Sequence, residues 1–125
     1  MTADKVVDAS ALAAAVFLEP GFADVRARIH GCKLYAPALI WFEMANVCVK
    51  KMRSIPSDRD LILRQHEAGL KTAIERREVD HRQVVSLAER HKLSAYDASY
   101  LWLAKQLNCE LVTLDIRLNA AAKAI

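Results

Sequence analysis

Four of the fifteen acidic residues stand in surroundings that acids normally avoid. Asp8 closes the run Val6, Val7, Asp8, and Asp115 closes the run from Leu111 to Leu114. Glu43 lies within Leu39 to Val49, whose only other polar member is Asn46. Asp97 shares a helical stripe with Tyr100, Leu101 and Ala104. Each has an ordinary alternative: Asp8 or Ser10 capping a first helix, Asp115 capping a last one, Ser94 to Asp97 as a capping box, Glu43 at a solvated rim. Capping gives no reason, however, to place two more carboxylates inside apolar helix faces. If the four converge, two carboxylates ~5 Å apart repel by about 3 kcal/mol at an effective dielectric of ~20. Several such pairs would consume much of the ~5–15 kcal/mol stability of a small domain. Either some of the acids take up protons, or a divalent cation neutralises them. Oxygen ligands without His or Cys select Mg²⁺ or Mn²⁺ over zinc, and magnesium favours phosphate-bearing substrates. The chemistry indicated is metal-assisted phosphoryl transfer.

The acids must be brought together by elements far apart in sequence. Lys5 to Asp8 reads as a strand, followed by an alanine-rich helix to Leu18 that Glu19, Pro20 and Gly21 stop. Phe22 to Ile29 is a second helix, and Gly31 precedes a strand over Lys33 to Ala36. Pro37 is placed to open a helix over Ala38 to Met52. Residues 54–57 form a loop, a helix is expected from Asp58 to about Arg76, and Glu78 to Asp80 is a weak strand. Further helices are expected over Arg82 to His91 and Ser94 to Leu107, with Asn108 as a C-cap. A strand over Glu110 to Leu114 and an alanine-rich helix end the chain. Strands separated by helices predict an α/β fold, a short parallel sheet covered on both faces. Ligands of such sheets bind beyond the carboxyl ends of the strands, where Asp8 and Asp115 fall.

The motifs VVDASAL, WFEMANV, LSAYDASYLWLA and LVTLDIRL resemble those of PIN-domain ribonucleases, specifically VapC-type toxins of bacterial toxin–antitoxin pairs. The resemblance is strong over residues 4–50 and 93–123 and weak from 54 to 92. It implies a single PIN-like domain over residues 1–125, a three-layer α/β/α sandwich. It further implies that Asp8, Glu43, Asp97 and Asp115 form a metal-binding catalytic centre for Mg²⁺ or Mn²⁺. Ser10 and Thr113 match hydroxyls that support such a centre, and Asn46 would orient Glu43 or touch substrate. Arg117 is either a phosphate contact or an exposed cation. The implied reaction is hydrolysis of RNA, leaving 5′-phosphate and 3′-hydroxyl ends. The implied partners are an RNA substrate, a small antitoxin and a second copy of the chain. The runner-up is a catalytically idle PIN-like module that binds RNA or protein. A response-regulator receiver domain fits less well, since it expects an acidic pair after the first strand and Ala9 and Ser10 follow Asp8.

Composition bounds these readings. The chain has 125 residues, enough for one domain, and 54% are apolar, above the usual ~45–50%. That excludes disorder and suggests a large core or apolar surface reserved for a partner. The net charge of +3 permits contact with nucleic acid without requiring it. Cys32, Cys48 and Cys109 carry no CxxC spacing, so they read as reduced thiols of a cytoplasmic protein rather than a zinc site. Ala11 to Leu18 lacks the charge pattern of a signal peptide, and no run approaches the ~18 apolar residues of a membrane span. His30, His66, His81 and His91 have no partners at catalytic spacing, so a histidine-based mechanism is not expected. Trp41, Trp102, Tyr96 and Tyr100 are placed in packing or interfaces before base stacking, while Lys50, Lys51 and Arg53 either hold RNA phosphates or complement a helix dipole.

Overall fold

Val6 and Val7 are both fully buried in one strand. Successive strand residues point to opposite faces, so this sheet is covered on both sides. The computed structural model describes residues 3–124. Its strands are β1 (Asp4–Val7), β2 (Lys33–Pro37), β3 (Ile74–Arg77) and β4 (Glu110–Val112), parallel throughout and ordered β3-β2-β1-β4. Its helices are α1 (Ala9–Phe17), α2 (Phe22–Ile29), α3 (Ile40–Ser54), α4 (Arg59–Gly69), α5 (His81–His91), α6 (Ala95–Leu107) and α7 (Ile116–Lys123). A single 3-10 turn, Pro56–Asp58, links α3 to α4.

Helices α1 to α4 pack against one another, and α5 to α7 form a second group in which α6 lies on β1, β2 and β4. Right-handed crossovers account for this division. The chain moves outward from β1 to β2 and β3, then returns to β4 on the other side of β1. The reversal puts the two helical groups on opposite faces and makes the gap between the ends of β1 and β4 a topological switch point. The α/β/α layering anticipated from the sequence is therefore present.

Three boundaries differ from the sequence reading. Pro37 ends β2 rather than opening a helix, and α3 begins at Ile40. Proline is tolerated there because the ladder stops at that residue. The helix expected through Arg76 ends at Gly69, and β3 takes up Ile74–Arg77 in place of the strand expected at 78–80. Asp80 instead caps α5, accepting from the Gln83 N–H at 3.0 Å. Gly69 also allows α4 to approach α1, since a methyl group there would meet Val16 at 2.8 Å. Finally, β4 stops at Val112 rather than Leu114, because the next N–H groups turn away from the ladder to side chains.

The two ends of the sheet differ in charge. At the amino end, Glu110 on β4 pairs with Arg28 of α2 at 2.6 Å and with Lys5 of β1 at 3.4 Å. The Lys5 ammonium also donates to the Arg28 carbonyl at 2.6 Å. The Arg28 guanidinium holds the Glu110 carboxyl below its ordinary pKa, against the effect of partial burial. The carboxyl end has no such balance.

Candidate active site

All four acids are delivered by helix starts. Asp8 caps α1 and Asp115 caps α7, each accepting a backbone N–H at 2.9 Å, from Ala11 and Leu118. Ser94 caps α6 by accepting from the Asp97 N–H at 3.0 Å, which leaves Asp97 in the first turn. Capping and convergence are thus two results of one arrangement. Glu43 enters from the first turn of α3.

Asp8 is only 4% exposed. Its Oδ1 accepts from Ser10 Oγ at 2.8 Å, and its Oδ2 accepts from Thr113 Oγ1 at 2.6 Å. Those hydroxyls in turn accept the Leu114 and Asp115 N–H groups, both at 3.0 Å. Ser10 and Thr113 therefore commit their protons to Asp8 while fixing the loop that carries Asp115. Burial nevertheless pushes the Asp8 pKa up, with the Asp97 charge adding to it and the three donors opposing.

Glu43 Oε1 accepts from the Tyr100 hydroxyl at 2.6 Å. Burial raises the Glu43 pKa, assisted by the charges of Asp97 and Asp8. Burial and the Asp115 charge raise that of Asp97, which Arg117 partly offsets. The same carboxylates, together with burial, hold the Tyr100 phenol far above its ordinary pKa, so it remains a proton donor. Among the described residues Asp97 is tied to Ser94 alone: its N–H donates to the Ser94 hydroxyl at 3.0 Å, and that hydroxyl acts on the Asp97 carboxyl to oppose the rise in its pKa.

Asp97 thus links the acids at the switch point: its charge acts on Asp8 and Glu43, and that of Asp115 acts on it. Among the described residues no three of them stand close enough to form a ready-made coordination shell. The fit to a cation rests on the donor chemistry, hard carboxylate oxygens with raised pKa values, rather than on a preformed cage. Such a donor set is of the kind that Mg²⁺ or Mn²⁺ takes.

The remaining expected residues surround this centre. Asn46 is exposed one turn after Glu43, in a cleft of about 500 Å³ that Ser10, Glu19 and Lys50 also line. Arg117 donates to the Lys92 carbonyl at 2.8 Å, which fixes its cation near Asp97. The basic cluster divides, because Lys51 pairs with Glu19 at 2.5 Å over the Phe17 ring while Lys50 faces the cleft. Of the histidines, His66 stacks on Phe17, and none bonds to the four acids among the described residues. Tyr100 is the residue whose polar role the sequence reading missed. Its position three residues after Asp97 puts it on the same helix face as that acid, but carries no sign of its bond to Glu43.

A family model described as the PIN domain matches residues 5–124. The chain belongs to the PIN domain family. It is 40% identical over 124 residues to the VapC ribonuclease Mb0985 of Mycobacterium bovis, a match covering 95% of this chain and 91% of the relative. The same figures hold for ribonuclease VapC9 of Mycobacterium tuberculosis. Among solved structures, PAE2754 from Pyrobaculum aerophilum superposes with a TM-score of 0.77 at 28% identity, covering 98% of this chain and 89% of that one. The match thus spans the weakly resembling segment 54–92 as well as the motif-bearing ends. In this PIN domain the switch-point acids come from β1, α3, α6 and the loop after β4.

Proposed function

We propose that this PIN-domain protein is a Mg²⁺- or Mn²⁺-dependent endoribonuclease that serves as the toxin of a toxin–antitoxin pair. The observation that carries the reading is the acidic cluster at the switch point, in which Asp8, Glu43 and Asp97 have raised pKa values and Asp115 repels Asp97. A stable domain keeps such a cluster at a cost, which a bound hard cation offsets. Family membership and the ribonuclease names of the mycobacterial relatives support RNA as the substrate.

In this mechanism Asp8 and Asp97 would hold the first ion, with Glu43 and Asp115 completing the cluster or assisting a second. When bound, the cation supplies Lewis acidity, lowering the pKa of water and offsetting charge that develops on the phosphate. Ser10 and Thr113 keep Asp8 oriented so that the cation site does not drift during turnover. Arg117, Lys50 and Asn46 at the rim contact the RNA backbone. Water attacks phosphorus and the 3′ oxygen departs with a proton, leaving 5′-phosphate and 3′-hydroxyl ends.

The test is to incubate the purified protein with RNA and Mn²⁺ and determine the chemistry of the new ends. Ligatable 5′-phosphates are expected, and cleavage should stop on chelation. Ends bearing 2′,3′-cyclic phosphate would contradict the route, and intact RNA would favour the idle binding module.

An antitoxin is the proposed silencing partner, and a second copy of the chain the proposed neighbour. Phe42 is 79% exposed and Tyr96 66%, and with Leu39 and Val49 they line an apolar groove beside Glu43. Large exposed aromatics gathered in one groove mark an interaction surface. Light scattering is expected to give a dimer mass for the wild type and a monomer mass for Phe42→Glu. A dimer that survives the substitution would place the interface elsewhere. The three free thiols suit a reducing cytoplasm, and no helix among the described residues is long and apolar enough to cross a membrane.

A further inference from the structure

The carboxylates of the acidic centre are held in unequal ways. Asp8 has three donors, Asp115 has the Leu118 N–H, and Asp97 has the Ser94 hydroxyl. Glu43 has one, the Tyr100 hydroxyl, at 2.6 Å. It is also the acid with the longest side chain, and so the one whose oxygens range most widely unless fixed. Tyr100 approaches from α6, one turn beyond Asp97, and is 1% exposed. Its ring is locked in the core while its hydroxyl reaches the floor of the site. Among the described residues this is the one side-chain hydrogen bond joining α3 to α6. It spans the gap between the helices that carry Glu43 and Asp97.

We propose that Tyr100 is a positioning residue for the cation site: its hydroxyl fixes Glu43 Oε1 and so presents Oε2 to the ion. The inference rests on the metal-dependent reading given above. A phenol suits the task because it donates a single proton from a rigid ring, adds no positive charge to compete with a cation, and cannot itself swing away. Its packing and its hydrogen bond separate cleanly, since phenylalanine keeps the ring and removes only the oxygen. Without that oxygen, Glu43 faces the charges of Asp8 and Asp97 with nothing to hold it. It then turns toward solvent in the Asn46 cleft, which it already lines.

The experiment is a Mn²⁺ titration followed by electron paramagnetic resonance, on the wild type, Tyr100→Phe, Glu43→Ala and the double variant. Loss of an outer-shell partner weakens metal binding by about 10–100-fold, and a loss near tenfold is expected for Tyr100→Phe. In the Glu43→Ala background the same substitution should have no further effect, because nothing remains for the hydroxyl to hold. Melting temperatures of the metal-free proteins report any loss of folding separately. Wild type that binds no Mn²⁺ would overturn the metal-dependent reading and this inference with it. Wild-type binding with an unchanged dissociation constant in Tyr100→Phe would overturn the inference alone. So would an equal loss with and without Glu43, since that is the signature of a core residue acting on the fold.

Discussion

Asp97→Asn is expected to reduce RNA cleavage about a thousandfold while raising the melting temperature of the metal-free protein. Loss of a carboxylate that holds the ion removes on the order of 4 kcal/mol of transition-state stabilisation, and each ~1.4 kcal/mol is a factor of ten in rate. The stability change has the opposite sign. Asp97 is half-buried, has the Ser94 hydroxyl as its side-chain partner, and faces Asp115. An amide of the same shape removes the repulsion and keeps an oxygen for that hydroxyl. Asp97 is a cleaner choice than Asp8, whose two oxygens accept three donors that an amide cannot all satisfy. Single-turnover cleavage and thermal melting of one preparation measure both effects. A variant that loses stability along with activity would show that Asp97 supports the fold rather than opposing it.

Divalent metal should abolish the loss of stability that the metal-free protein shows as pH rises. Asp8, Glu43 and Asp97 all have pKa values raised in the fold, chiefly by burial. Such groups bind protons more readily folded than unfolded. Their contribution is greatest below the ordinary carboxylate pKa and is lost as pH rises through the raised values. The metal-free protein is therefore expected to lose melting temperature from mildly acidic pH toward neutrality. Glu110 works in the other direction, since its lowered pKa costs stability only as pH falls below the ordinary range. The two windows are separate. Mn²⁺ binds the ionised carboxylates and should remove the decline. At one hundred times its dissociation constant it contributes about 2.7 kcal/mol. For a chain of this size that raises the melting temperature by about 10 °C. Calorimetry across pH with and without Mn²⁺ reads this directly. An equal shift in an Asp8→Asn, Asp97→Asn double variant would mean that the ion binds elsewhere.

Much of this architecture was legible before any coordinates. The β-branched pair Val6 and Val7, the glycine and proline stops, and the capping residues Asp8, Ser94 and Asp115 are local signals with local causes. The acids were conspicuous because each contradicts its apolar neighbours. The segment around β3 was not legible for a physical reason. Ile74, Glu75, Arg76 and Arg77 form an edge strand, half-exposed to exposed along its length, whose charges discourage pairing with other chains. A strand protected in that way does not show the apolar run by which strands are recognised. Tyr100 was hidden for another reason. Its sequence context shows a buried aromatic on an apolar helix, and only the crossing of α3 and α6 reveals where the hydroxyl points.

The clasp formed by Arg28, Lys5 and Glu110 has a mechanical consequence. β1 and β4 share only three paired positions. Beyond them, Thr113 donates to Asp8 at 2.6 Å and the Leu114 N–H to Ser10 at 3.0 Å. With Lys5 and Glu110 paired at the near end, a very short ladder is buckled at both extremities, and the segments that carry Asp8 and Asp115 leave it from fixed points.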